Sequence, residues 1–184
     1  IRFDAPVNQQ TTLVFDGAMS EARVYVNGQE ACFWPFGYNS FHCDVTGLLN
    51  KDGKNNTLAV RLENKPQSSR WYPGAGLYRN VRVVSTDKVH VPVWGTQLTT
   101  PIVKDEFAKV NLKTKLDVPA GKAFEGYRIV TELKDKDGKV VAANEKKGGP
   151  FDDNVFEQDF VVTSPALWTP DTPHLYSAVS KVYE

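Results

Sequence analysis

The sequence predicts an all-β chain of two consecutive β-sandwiches, and three observations carry that prediction. Apolar residues recur at every second position along most of the 184 residues, and no amphipathic helix of useful length appears. Turn signals separate the alternating runs, with Asn27-Gly28 and Asp137-Gly138 the strongest. Near residues 86–88 the texture changes from strands interleaved with glycine and tryptophan to longer, lysine-rich ones. The boundary this suggests divides the chain into residues 1–86 and 87–184, with no repeat between the halves.

The first half opens with a strand over residues 11–16, with Leu13 and Phe15 on one face. Ala22, Val24 and Val26 alternate next and lead into Asn27-Gly28, whose residues tolerate the positive φ of a tight hairpin turn. The return strand carries Ala31 and Phe33. Phe41, Cys43 and Val45 alternate after it, and a short turn follows around Leu48 and Leu49. Residues 51–56 read as a polar loop and 57–63 as a strand with Leu58, Val60 and Leu62 inward. Residues 70–80 are dense in aromatics, arginine, proline and glycine. They read as a corner or a binding surface, before a strand at 81–85.

In the second half, residues 108–118 alternate cleanly as a half-buried strand. Tyr127, Ile129, Thr131 and Leu133 form the inward face of the next, and Asp137-Gly138 turns the chain into 139–145. Residues 146–153 read as a loop, 155–163 and 175–183 as strands. The proline-rich 164–173 between the last two reads as a crossing connection, with Trp168 buried in it.

Apolar residues make up 41% of the chain and aromatics 11%, enough for packed cores and against disorder. Lysine plus arginine equals aspartate plus glutamate at 22 each, so no basic footprint points to nucleic acid or an anionic membrane. No apolar run approaches the roughly 20 residues of a membrane-spanning helix. The start at Ile-Arg-Phe, without methionine or a signal-peptide pattern, suggests a processed protein or an excised fragment. Compartment stays open. Cys32 and Cys43 both sit in strand-like text, where a buried free thiol is the commoner fate; pairing needs geometry that sequence does not supply.

Several ordered motifs resemble glycoside hydrolase family 2, the β-galactosidases, β-glucuronidases and β-mannosidases. Phe15-Asp16-Gly17 with Val24-Tyr25-Val26-Asn27-Gly28 resembles the family's first-domain hairpin. Gly37-Tyr38, Phe41 and Asp44-Val45-Thr46 resemble the next stretch, and Asn56-Thr57-Leu58-Ala59-Val60-Arg61 a later strand. Residues 70–81 resemble the family's "RWYpGaGiyRnV" segment, and 167–176 its "LWsPdtPnLY" segment.

The resemblance implies a partial sugar-binding jelly roll over 1–86 and an immunoglobulin-like sandwich over 87–184 that lacks its last strand. It also implies a catalytic barrel elsewhere in the parent chain as partner, and a β-galactoside-like carbohydrate as ligand. Strands missing at either end would leave sheet edges open to association with a second copy.

Retaining glycosidases need two carboxyl groups about 5–5.5 Å apart. The resemblance puts both on the absent barrel, so no catalytic residue is assigned here. Asn144-Glu145 matches the family's acid/base dipeptide in letters only, since it lies in a lysine-flanked hairpin strand. Glu157-Gln158-Asp159 begins the motif of sandwich-fold glycosidases, but Val162 stands where a third acid is needed. His42, His90 and His174 lack ligand spacing, and no metal or cofactor is expected.

Trp34, Trp71, Tyr72, Tyr78 and Trp168 could stack on sugar rings or seal cores. Arg70 and Trp71 remain the candidate sugar contacts, and Arg79 is read as a structural ion pair or carbonyl contact. Three functions follow: a non-catalytic part of such a glycosidase, a free-standing carbohydrate-binding module, or a structural linker without sugar affinity.

Overall fold

A computed structural model of the chain describes residues 1–67, 74–150 and 152–184. Among these residues all regular structure is strand apart from two single 3-10 turns, Thr46–Leu48 and Phe124–Gly126. The chain divides into two compact units, Ile1–Lys88 and Val89–Glu184. Each is a β-sandwich.

The first unit contains β1 (Arg2–Phe3), β2 (Gln10–Phe15), β3 (Ala22–Val26), β4 (Gln29–Trp34), β5 (Phe41–Asp44), β6 (Asn56–Arg61) and β7 (Val81–Thr86). They form two antiparallel sheets, β1-β6-β3-β4 and β5-β2-β7. Alternation puts Leu13 and Phe15 of β2 and Phe41 and Cys43 of β5 opposite Val24, Val26 and Leu58 of the other sheet. The Phe15 and Phe41 rings stack with centroids 4.6 Å apart. Burying each such ring stabilises the fold by about 2–3 kcal/mol.

The β3–β4 turn has Asn27 at φ 51° and Gly28 at φ 84°, the left-handed pair that Asn-Gly favours. Asn27 also works through its side chain. Its amide donates to Leu48 O and to Asn56 Oδ1, and its Oδ1 accepts from the Thr57 amide. Asn56, wholly buried, in turn accepts from the Asn50 amide and donates to Gly53 O. The polar loop between the 3-10 turn and β6 is thereby tied to the hairpin by two asparagines.

The return strand changes faces at a bulge, and one expectation for this half is corrected. β4 turns Phe33 outward. Val24 pairs with Cys32 and Tyr25 with Glu30, so Ala31 is an extra residue, and the bulge reverses the faces beyond it. Cys32 and Trp34 therefore pack towards the core, while Phe33 is 41% exposed under the Arg23 guanidinium. The cysteines are not free thiols. Cys32 on β4 and Cys43 on β5 form a disulfide with their Cα atoms 6.0 Å apart, joining the outer strands of the two sheets. The bulge is what aims Cys32 at Cys43.

The second unit contains β8 (Thr96–Val103), β9 (Phe107–Lys115), β10 (Arg128–Lys134), β11 (Val140–Lys147), β12 (Val155–Thr163) and β13 (Ser177–Tyr183). Its sheets are β12-β9-β8 and β11-β10-β13. Val110, Leu112, Phe160 and Val162 meet Leu133 in one part of the core; Leu116, Phe124, Tyr127, Ile129 and Phe156 fill the other. A buried polar link joins the sheets: Thr131 Oγ1 donates to Gln158 Oε1, and Gln158 Nε2 donates to Asn144 O.

β8 carries no readable signal in the sequence, for a physical reason. Every one of its residues is exposed, so no alternation is imposed on it. Thr99 pairs with Asn111 and Ile102 with Lys109, so Thr100 and Pro101 oppose the single Val110. The proline sits in a bulge of an edge strand, where its missing N–H costs no ladder bond.

Candidate functional site

Of the segment that the sequence singles out as corner or binding surface, residues 74–80 lie at one end of the first sandwich. Arg70 and Trp71, with Tyr72 and Pro73, lie outside the described residues. Residues 74–80 are described, and backbone bonds sew them to the loop after β2. The Asp16 amide donates to Asn80 O at 3.0 Å, while Met19 and Gly76 exchange amide-to-carbonyl bonds at 3.0 and 3.2 Å. Gly76 adopts φ 123°, a conformation that side-chain-bearing residues rarely adopt.

The loop between β4 and β5 joins this cluster through Tyr78, whose hydroxyl donates to Gly37 O at 2.8 Å. A Cβ on Gly17 would lie 2.7 Å from the Tyr78 ring, so glycine there admits the ring. Arg79 Nη1 donates to Asp16 O at 3.5 Å, the carbonyl contact expected of it, and its guanidinium lies 5.2 Å from the centre of the Tyr78 ring. Asp16 is also engaged by Arg82, whose Nη1 and Nη2 donate to Oδ1 and Oδ2 at 3.0 and 2.5 Å. Two parallel bonds of this kind fix the planar groups rigidly. The carboxylate is thus committed to holding the corner.

The cluster leaves aromatic surface open. Phe36 and Tyr38 meet edge to face with centroids 5.6 Å apart, and both are about half exposed, as are Leu77 and Tyr78. Trp34 behaves differently. Its ring stacks on Phe41 at 5.7 Å and packs against the core, and its buried indole N–H has no partner among the described residues.

The remaining sequence candidates make contacts within the second unit. Glu145 forms an ion pair with Arg128 at 3.3 Å, and Asn144 donates to Asp159 O. Glu157 and Asp159 share the Asn111 side-chain amide, at 3.1 and 2.8 Å, on the exposed face of β12. His90 Nε2 lies 3.8 Å from Asp117 within the second unit. Among the described residues no three His, Cys, Asp or Glu side chains gather as metal ligands would.

Trp168 corrects another expectation: it is 58% exposed, not buried. The Thr169–Thr172 turn, held by the Thr172 amide donating to Thr169 Oγ1 at 2.9 Å, keeps the connection at the sandwich margin. There Trp168 borders an apolar cavity of about 430 Å³ whose walls include Leu98, Val110, Leu133 and Val162.

Two consecutive units, each of two antiparallel sheets, define an all-β protein of the sandwich class. The family model for glycosyl hydrolases family 2 matches residues 89–184, and the chain belongs to that family. A β-galactosidase from Bacteroides ovatus is 40% identical over 171 residues, covering 91% of this chain and 20% of that protein. A β-glucuronidase from Formosa agariphila is 27% identical, over 92% of this chain and 20% of its own length. A crystal structure of a family 2 member from Bacteroides cellulosilyticus superposes with a TM-score of 0.91 at 28% identity, covering all of this chain and 24% of that one. The chain thus spans about a fifth of the curated relatives it matches.

Proposed function

We propose that this chain is a non-catalytic region of a family 2 glycosidase that supports a catalytic barrel and shapes the approach to its sugar pocket. In this reading residues 1–86 are part of a sugar-binding jelly roll and 87–184 an immunoglobulin-like domain. It assigns Arg70 and Trp71 to contact with a β-galactoside-like substrate. The observation that carries the reading is the 40% identity to a β-galactosidase across 91% of the chain, over only 20% of that enzyme. The open aromatic surface of Phe36 and Tyr38, on a loop bonded to the 74–80 segment, supports a contact role for that end of the sandwich.

Purified free of host enzyme, the chain is expected to release no nitrophenol from nitrophenyl β-galactoside; turnover would overturn its non-catalytic assignment. In an intact enzyme carrying these domains, Trp71→Ala should raise KM roughly tenfold with little change in thermal stability, the loss of one stacking contact. An unchanged KM would remove Trp71 from the substrate path.

A further inference from the structure

We infer that the first sandwich carries a second, accessory sugar site at the end away from the 74–80 segment, which takes a neutral saccharide unit. Strand register separates the two ends. Phe15 pairs with Phe41 beside the corner loops, whereas Thr12 pairs with Asp44, and Gln10 starts β2 at the far end. Six residues of strand put roughly 17–20 Å between them.

At that far end lies a cavity of about 410 Å³ bordered by Gln9, Gln10, Asp44, Lys51 and Lys88, with Val7 and Leu49 as apolar wall. The volume is within the range of about 300–1,000 Å³ usual for small-ligand sites. Its chemistry fits hydroxyl groups. Side-chain amides both donate and accept, as sugar hydroxyls do; a carboxylate accepts strongly, an ammonium group donates, and the Asp44 and Asp87 carboxylates offset the charge of the two lysines.

The polar groups are incompletely engaged. Asp44 Oδ1 takes bonds from the Thr46 amide and hydroxyl at 2.9 and 2.6 Å, which orients the carboxylate. Its Oδ2 receives Gln10 Nε2 only at 3.5 Å, and Gln9 Nε2 reaches Asp87 Oδ1 at the same long distance. Bonds of 3.5 Å lie beyond the usual 2.7–3.2 Å and are weak, so a ligand hydroxyl at normal distance would replace them favourably. Val7, half exposed, offers apolar surface for the C–H face of a pyranose ring.

This inference does not rest on the proposed role of the corner, because the two ends are separate and the site lies wholly in the first unit. The test is a titration of the 15N-labelled chain with lactose, followed by amide chemical shifts. Saturable shifts confined to residues 7–10 and 44–51 are expected, with affinity falling roughly tenfold in Gln10→Ala for the loss of one hydrogen-bonding side chain. Gln9→Ala provides a second variant, since neither side chain belongs to a core. No saturable shift, unchanged binding in both variants, or shifts at residues 16–20 and 35–40 instead would each overturn it. Response to glucuronate but not lactose would refute the neutral-sugar assignment.

Discussion

Removing the Cys32–Cys43 linkage should weaken the first sandwich far more than its two sulfur atoms suggest. The cysteines are 11 residues apart and join β4 to β5, the outer strands of opposing sheets. Closing a loop of about a dozen residues lowers the entropy of the unfolded chain by an amount worth about 3 kcal/mol. Cys43 is only 3% exposed, so Cys43→Ala also loses core packing and adds about 1 kcal/mol. The comparison is between oxidised protein, protein reduced while unfolded and then refolded, and the Cys32→Ala/Cys43→Ala variant. For a unit of this size, 3 kcal/mol corresponds to a fall in Tm of about 12–24 °C. Amide exchange should accelerate in β2, β3 and β5 and stay unchanged in β9, β10 and β12 of the second unit. Alkylation of the unreduced, denatured protein should label no thiol. Labelling of both cysteines, or a reduced protein within about 0.5 kcal/mol of the oxidised one, would refute the staple.

Two further outcomes follow from side chains in the same unit. Asn56→Ala removes the acceptor of the Asn50 amide and Asn27 side chain and the donor to Gly53 O, and should cost about 3 kcal/mol in urea unfolding. A loss under 1 kcal/mol would mean that water replaces the asparagine. The Asp4 carboxyl is held below its usual range, first by the Asn55 backbone amide and then by Lys54. A carboxyl depressed in the folded state stabilises above the unfolded value near 4, and that contribution disappears as pH falls through the folded value. Asp4→Asn should therefore unfold with a shallower dependence on pH below about 4 than the parent; superimposable Tm–pH curves would exclude the linkage.

Much of the fold was legible because burial acts locally on alternate residues. Leu13, Val24, Ile129 and Phe156 are each wholly buried in strands whose pattern announces them. Asn27-Gly28 set its own turn, because its φ preferences lie within the dipeptide. β8 was illegible since an exposed edge strand places no demand on side-chain pattern. The outward face of Phe33 and the exposure of Trp168, which was expected to be buried, have related reasons. One extra residue at Ala31 reverses a face, and the 164–176 connection stays at the margin instead of entering the core. At the corner, glycine and aromatic content marked the segment, but the Tyr78–Gly37 bond and the Arg82–Asp16 pair join residues 41 and 66 positions apart. No spacing rule reaches that far.

From its sequence alone this chain was committed to paired sandwiches and to the ordered motifs of family 2, because strand period and turn chemistry are properties of neighbouring residues. Tertiary structure decided that the two cysteines meet, which aromatics stayed open, and which polar side chains gathered beside Asp44. Those outcomes depend on register and on the approach of two sheets, which residues distant in the chain determine together.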